Sequence, residues 1–391
     1  MADWRLVLPL LLMAAFLIFE DLITVPSCVI SDGCGAVGPA KLKAMIVADL
    51  LLKGPDAGYA DTLFRNIFIS RFFRKSYEKL EPDMLVILGD IAAKRLELGN
   101  GDWLVVLQQL KRVIGPFDGV PLVVGLGERD VGECSELDEE SVAKIANHLP
   151  GLDRTGSASF RFENVSFFLI NDVALLCNEN ALRFGVEKLI ETESFDLREQ
   201  SKNSLLEAAV SDEINILSDG FPTLKSYPPS GSGPVLLLHF PLSRAAEKNI
   251  ERNNTLNENL QKFEHNGTVH VDSDTVEAVS PQLMQTLPLN ETEYILQSLR
   301  PRMVFSAHRQ HFDIYNHSDG TLEVTVPAMT WALGGRPGFV FASFGETNTR
   351  VSHCSLAREM HVVMGYLSIL VLLLIATVIS RGSYSVSFFQ I

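Results

Sequence analysis

Cysteine is scarce in this chain, and none of it is paired at ribbon spacing. Cys28, Cys34, Cys134, Cys177 and Cys354 include no Cys-x-x-Cys, which excludes a zinc ribbon and a thioredoxin-type motif. Basic charge is also short. The 33 Lys and Arg stand against 48 Asp and Glu, a net charge of −15, with no Lys/Arg-rich stripe to offset it. Phosphate backbones would be repelled, so nucleic acid is not expected as a partner. There is no internal repeat. What remains is ample apolar material: 47% of 391 residues, enough to bury a full core in one large domain or two ordinary ones.

Two stretches do not suit a soluble domain. "LVLPLLLMAAFLIF", residues 6–19, follows Arg5 and is stopped by Glu20 and Asp21. Its length fits a signal-peptide core, but no clean small-x-small cleavage site follows, so a retained signal anchor is the other reading. "VVMGYLSILVLLLIATVI", residues 362–379, carries no charge and reads as a membrane helix, with Arg381 marking a cytosolic end. The expected organisation is a signal peptide or anchor over residues 1–30, a lumenal domain over 40–350, a transmembrane helix over 361–380 and a cytosolic tail over 381–391. Asn164, Asn253, Asn266, Asn290 and Asn316 each open an Asn-x-Ser/Thr sequon, consistent with a lumenal domain. Asn290 has a second reading, as a helix N-cap closed by Glu293. In an oxidising lumen one or two disulfides are expected, with pairing left open.

Short runs rich in Val, Ile, Leu and Phe recur between Ala44 and Phe344: "AMIVADL", "DMLVILGD", "VPLVVGLGE", "VSFFLIND", "GPVLLLHFPL", "PRMVFSAH" and "LEVTVPAM". Amphipathic stretches lie between them. "YADTLFRNIFISRFFRKSYEKL" sets Leu63, Ile67, Phe68, Phe72 and Leu80 near one helical face. "SVAKIANHL", "LRFGVEKLIETESF" and "ETEYILQSL" also read as helices. The alternation predicts an α/β domain whose sheets are covered by helices. A Pro/Gly/Ser-rich loop, "SDGFPTLKSYPPSGSGP", and a polar stretch over residues 243–280 interrupt the pattern. The polar stretch follows a His-bearing strand end and reads either as a solvated insertion or as a lid.

In α/β sheets, sites form beyond the carboxyl ends of strands. Those ends carry Asp49, Asp90, Glu128, His239 and His308. Singly, each has a bland reading as a turn, a cap or a satisfied histidine. Together, carboxylates and imidazoles arriving from separate strands suit a hard or borderline divalent cation.

That order resembles the calcineurin-like metallophosphoesterases, whose ligands come as Asp-x-His, Gly-Asp, Gly-Asn-His-Asp, a His, then Gly-His-x-His. "PDMLVILGDI", "GPVLLLHFPLSR", "LRPRMVFSAH", "EVTVPAMTW", "PGFVFASF" and "CSLAREMHVV" are similar to the branch that remodels GPI anchors by removing ethanolamine-phosphate, with plant-type members nearest. The resemblance implies a sandwich of two β-sheets flanked by helices, with N- and C-terminal hydrophobic membrane segments. It also implies a place in the endoplasmic reticulum or Golgi membrane, a lipid-bilayer anchor and a GPI-anchored protein as substrate.

The family pattern is altered here. Asp49, Asp90, His239 and His308 are kept, and Asp130, which closes the third motif, is expected among the catalytic residues with position 129. Leu51 and Gln310 stand where the pattern has ligating histidines. Glu128 replaces the Asn ligand, and Arg129 replaces the catalytic His. His311, beside Gln310, is one residue out of register. The first metal position would keep Asp49 and Asp90 alone, whereas the second would keep Asp90, Glu128, His239 and His308. The implied cofactor is one divalent ion (Mn, Zn or Fe), or none. Arg129 cannot serve as a general acid, because its guanidinium stays protonated. It is expected beside Asp49, in place of the missing cation. Two readings follow: a slow or altered metal-dependent phosphodiesterase, or a catalytically silent module of the same fold that binds a phospho-glycan or a protein.

Overall fold

The computed structural model describes residues 4–30, 42–94, 101–115, 119–177, 181–212, 233–244, 286–345 and 349–387. The lid candidate over 245–280, most of the Pro/Gly/Ser-rich loop, Cys34, Asn253 and Asn266 lie outside these residues.

The strand-length apolar runs form strands, and they assemble into two six-stranded sheets. In the first, β1 (Ser27–Ile30), β12 (Thr349–Ser355), β11 (Gly338–Phe344), β2 (Leu42–Val47), β3 (Met84–Leu88) and β4 (Leu122–Gly125) lie in that order. β2, β3 and β4 are parallel, while β11, β12 and β1 add on antiparallel. The second sheet runs β5 (Ala158–Phe162), β6 (Val165–Leu169), β7 (Val235–Leu237), β8 (Met303–Ser306), β10 (Leu322–Thr325) and β9 (Asp313–Asn316). Its centre is parallel and its edge strands β5 and β9 are antiparallel.

Alternation of side chains along each strand divides the apolar residues between two layers. Ala44, Ile46, Met84, Val86 and Leu88 point to Phe167, Leu169, Val235, Leu237 and Phe305 between the sheets. The intervening residues, such as Met45, Val47, Leu85 and Ile87, are buried among helical residues. Over the first sheet these come from α2 (Asn66–Leu80) and α3 (Asp102–Ile114). Over the second they come from α7 (Ala181–Asp212) and α8 (Leu289–Leu299). Strands buried on both faces explain why the sequence runs read as continuously apolar. The structure is thus the expected two sheets flanked by helices. Short helices α4 (Glu128–Val131), α5 (Glu139–Ala146) and α6 (Val173–Leu176) connect them.

The apolar face expected for α2 is corrected in its first turns. Phe68, Ile69, Phe72 and Phe73 are buried, but Leu63 is 68% and Ile67 39% exposed. A π-type turn over Asp61–Arg65 precedes the helix and shifts the register by which those residues would have reached the core.

Two helices stand apart from the sandwich. The N-terminal apolar run forms α1 (Trp4–Ile23), and the C-terminal one belongs to α9 (Glu359–Ser387). Phe16 and Phe19 lie 5.1 and 5.6 Å, centroid to centroid, from Tyr366 of α9, so the two helices pack together. Among the described residues, Glu359–Ala376 is the stretch long and apolar enough to cross a membrane. α2 crosses the base of the pair: Arg65 pairs with Glu359, Arg71 with Glu20 and Lys75 with Asp21. Two disulfides are formed, Cys28–Cys354 between β1 and β12, and Cys134–Cys177 between the segments after α4 and α6.

Candidate metal centre

The carboxyl ends of β2, β3, β7 and β8 converge at one end of the sandwich. Sheet order makes this possible: β2 and β3 are neighbours in one layer, β7 and β8 in the other. The backbone at these ends is unusual. Asp49, Leu51, Asp90, His308 and Gln310 all have positive φ, between 48° and 64°. A non-glycine residue held left-handed carries strain of roughly 1–3 kcal/mol, which persists where the surroundings enforce it. Leu51 and Gln310 share the conformation of Asp49 and His308, which stand two residues before them. Gly89 and Gly127 are required by close approach. A Cβ on Gly89 would stand 2.6 Å from the nitrogen of Gly127, and one on Gly127 2.2 Å from Asp90 Oδ1.

Asp90, His239 and His308 each offer one ligand atom, all within 4.8 Å of one another. The His239 ring bridges the two layers. Its Nδ1–H donates to the Leu88 carbonyl at 2.8 Å, and because a carbonyl only accepts, the proton sits on Nδ1. Nε2 is then a bare lone pair. It is buried without a hydrogen-bond partner and lies 3.5 Å from Asp90 Oδ1. Burial pushes the His239 pKa down to about 4 and that of His308 to about 3, the latter helped by His239 and Arg129, so both rings are neutral. An unpartnered imidazole nitrogen facing a buried carboxylate fits a divalent cation.

Glu128 stands outside this compact trio. Its Oε1 is 3.9 Å from His308 Nδ1, and burial raises its pKa. Asp49 is buried with Oδ1 unpartnered and 3.9 Å from His239 Nδ1. Desolvation, then the neighbouring Asp90, holds its carboxyl well above the usual carboxylate range.

Arg129 meets a different acid from the one expected. Its Nε lies 3.3 Å from Asp90 Oδ2, and its backbone N–H donates to Asp90 Oδ1 at 3.0 Å. The guanidinium field reaches Asp49 and favours its charged form, but the ion pair is with Asp90. The reason is local: Arg129 lies in the first turn of α4, whose start is packed against the Gly89–Asp90 turn. Even so, burial raises Asp90 to about 7.

Asp130 uses its carboxylate on backbone. It accepts from the N–H groups of Gly127, Ile91 and Ala92, at 3.0, 3.3 and 2.9 Å, and so clamps the two ligand-bearing turns together. Gln310 and His311 are exposed, and His311 Nδ1 faces the Arg309 carbonyl. Asn164, Asn290 and Asn316 are exposed. Asn290 is not an N-cap: Pro288 holds that position, and the Asn290 amide donates to Glu291 instead.

Two supporting acids were not singled out from the sequence. Asp172, which ends "VSFFLIND", accepts the backbone N–H of Phe240, next to His239, and burial raises its pKa to about 8. Glu323 accepts Ser306 Oγ–H at 2.6 Å and the Leu242 N–H at 3.1 Å, with His317 Nε2 2.9 Å away. It thereby ties the segments that carry His308 and His239. An acid at a strand end was a usable signal for Asp172. Glu323 lies inside a strand and offered none.

No family model matches the chain. Along most of its length it is similar to proteins named Metallophosphoesterase 1. Identity is 27% over 344 residues to that of Mus musculus, spanning 85% of this chain and 77% of the relative. It is 25% over 353 residues to that of Pongo abelii, spanning 90% and 81%. A homologue from Drosophila melanogaster is 23% identical over 335 residues, spanning 85% of this chain and 80% of its own. A solved dimetal phosphatase of Danio rerio overlaps at a TM-score of 0.44 with 12% identity, covering 82% of this chain and 98% of that one, too loosely to bear on function.

Proposed function

We propose that this chain is a membrane-anchored phosphodiesterase of the calcineurin-like metallophosphoesterase superfamily, which its similarity to Metallophosphoesterase 1 proteins supports, working with one divalent ion rather than two. The observation that carries the reading is the trio of Asp90, His239 and His308, with the bare His239 Nε2 among them. Glu128, with Oε1 3.9 Å from His308 Nδ1, would be the fourth ligand. Two carboxylates and two imidazoles suit Zn²⁺, or Mn²⁺ or Fe²⁺ with water added. A divalent ion there would polarise a phosphoryl oxygen and ease deprotonation of an attacking water.

The chain's own residues would do the rest. The Leu88 carbonyl holds the His239 tautomer, and Asp172 and Glu323 hold the turns that present both histidines. Arg129 pairs with Asp90 through Oδ2, and its fixed charge would stand in for a second cation. Being 37% exposed, it can also donate hydrogen bonds to a substrate phosphate.

The substrate class, an ethanolamine-phosphate diester on a GPI glycan, rests on the sequence resemblance. The domain boundaries are those given above, with the region over 40–350 lumenal and 361–380 spanning an endoplasmic reticulum or Golgi membrane. The apolar stretch Glu359–Ala376, two disulfides and exposed sequons at Asn164, Asn290 and Asn316 support that orientation. α1, packed on α9, accompanies it as a retained anchor.

One observation favours the silent binding module: Leu51 is buried where a ligand would stand, with Asp49 Oδ1 unpartnered beside it. Turnover of a chromogenic phosphodiester by the full chain in detergent, loaded with Mn²⁺ or Zn²⁺, separates the two. Activity lost in Asp90→Ala supports the hydrolase. Activity no higher than that of Asp90→Ala under any loading leaves the binding module. Carbonate extraction and endoglycosidase digestion test the topology, and release by carbonate with no mobility shift would refute it.

A further inference from the structure

Away from the metal centre, α2 and α3 enclose a surface groove of about 410 Å³. Its walls follow from helical spacing. Ile67, Arg71 and Arg74 succeed one another along one face of α2, opposite Val105 and Arg112 of α3. Among the described residues no carboxylate lines it, although the whole chain carries a net charge of −15. Arg71 is paired with Glu20, so Arg74 and Arg112 give the groove a positive charge opposite in sign to that of the whole molecule.

The apolar side is equally out of character. Ile67 and Val105 in the groove are 39% and 41% exposed. Large side chains exposed together mark a surface that meets something apolar.

The groove's position says what that is. Arg71 in its wall pairs with Glu20 at the end of α1, and one turn further Lys75 pairs with Asp21. Arg65, two residues before Ile67, pairs with Glu359 at the start of α9. α2 therefore lies across the foot of the apolar helices. If α9 spans the bilayer, these ion pairs sit at headgroup level, and the groove opens beside them.

We propose that the α2–α3 groove holds a phospholipid of the surrounding bilayer, with its anionic phosphodiester headgroup against Arg74 and Arg112 and its apolar part along Ile67 and Val105. This rests on the membrane anchoring given above, but not on the catalytic reading. Arginines pair with phosphate by parallel hydrogen bonds, and basic side chains near an anionic leaflet gain affinity additively. Bound lipid would fix the height and tilt of the sandwich over the membrane.

The test uses the full chain reconstituted in nanodiscs of phosphatidylcholine with one-fifth phosphatidylserine. Lipid retained after transfer to detergent is quantified by native mass spectrometry. The variant is Arg74→Gln with Arg112→Gln, sparing Arg71 because it ties α2 to α1. Arg154→Gln is the control. We expect the wild type and control to retain phosphatidylserine preferentially. The double variant should lose about tenfold or more, since each basic side chain contributes roughly fivefold at such a surface. Equal retention by the double variant overturns the proposal. So does displacement of the lipid by millimolar inorganic phosphate, which would reveal a site for soluble anions. A wild-type chain that stays in the membrane after carbonate wash yet retains no preferred lipid overturns this proposal alone. One that washes off overturns the anchoring and this proposal with it.

Discussion

Removing the Arg129 guanidinium would leave Asp90 buried beside Asp49 and Asp130 without a counter-charge. The pair is 3.3 Å long, with Asp90 only 4% exposed. Burial has already raised Asp90 from 3.8 to about 7 against the opposing pull of Arg129. In Arg129→Ala the carboxyl should rise further and stay protonated. At pH 7 the loss of stability is capped, because a group at its pKa is already half protonated; the cap is about 0.4 kcal/mol, or RT ln 2. Above pH 7 the wild type ionises Asp90 and the variant cannot, so the gap widens by up to about 1.4 kcal/mol per pH unit. The sign follows from the raised folded-state pKa. Asp90's contribution to stability declines as pH rises from near 4 to about 7, and the variant prolongs the decline. Solvent screens a side chain that is 37% exposed, so half that slope is expected, a gap of about 1.5 kcal/mol at pH 9. For a domain of this size that is on the order of 3 °C in Tm. Thermal melts of the full chain in detergent with chelator, from pH 6 to 9, would show it, with Arg129→Lys and Arg154→Ala as references. A gap that is constant or narrows with rising pH would refute the reasoning.

Elemental analysis of the purified chain should find no more than one divalent ion, lost in His239→Ala and joined by a second in Leu51→His; two ions in the wild type would overturn the count. Because Asp172 is raised to about 8, Asp172→Asn should keep the Phe240 hydrogen bond and weaken the loss of stability between pH 4 and 8, whereas Asp172→Ala should cost about 1–3 kcal/mol by stranding a buried N–H; melts across pH distinguish them. Glu323→Ala should destabilise by roughly 3–5 kcal/mol, since it strips Ser306, Leu242 and His317 of one shared buried partner, and urea unfolding reads the loss. The Cys134–Cys177 bridge closes a separation of 43 residues, so Cys134→Ser with Cys177→Ser should lose about 4 kcal/mol by the loop-entropy relation, measured in the same assay.

Much of this protein was legible in its sequence because the signals are local. A strand buried on both faces must be apolar along its whole length, so β2, β3, β4, β6, β7, β8 and β10 each surfaced as a short Val/Ile/Leu/Phe run. Parallel strands put their carboxyl ends on one side, so an Asp or His after such a run could be recognised at Asp49, Asp90, His239 and His308. Three of the four edge strands escaped: β1, β5 and β9 are short and partly or wholly exposed, with no continuous apolar run. The tertiary structure alone decided which acid Arg129 meets, because that depends on how α4 docks against the Gly89–Asp90 turn. It also decided that Glu128 stands at the rim of the trio, and that Cys28 meets Cys354 across 326 residues. The exposure of Leu63 and Ile67 came from a π-turn that shifts one helical register, and Asp172 and Glu323 acquired their supporting roles only when the ends of β6, β7, β8 and β10 were brought together. Periodicity and residue type report what a segment must bury or present. Which groups then pair depends on distances between segments far apart in the chain, and those exist only once the sheets have packed.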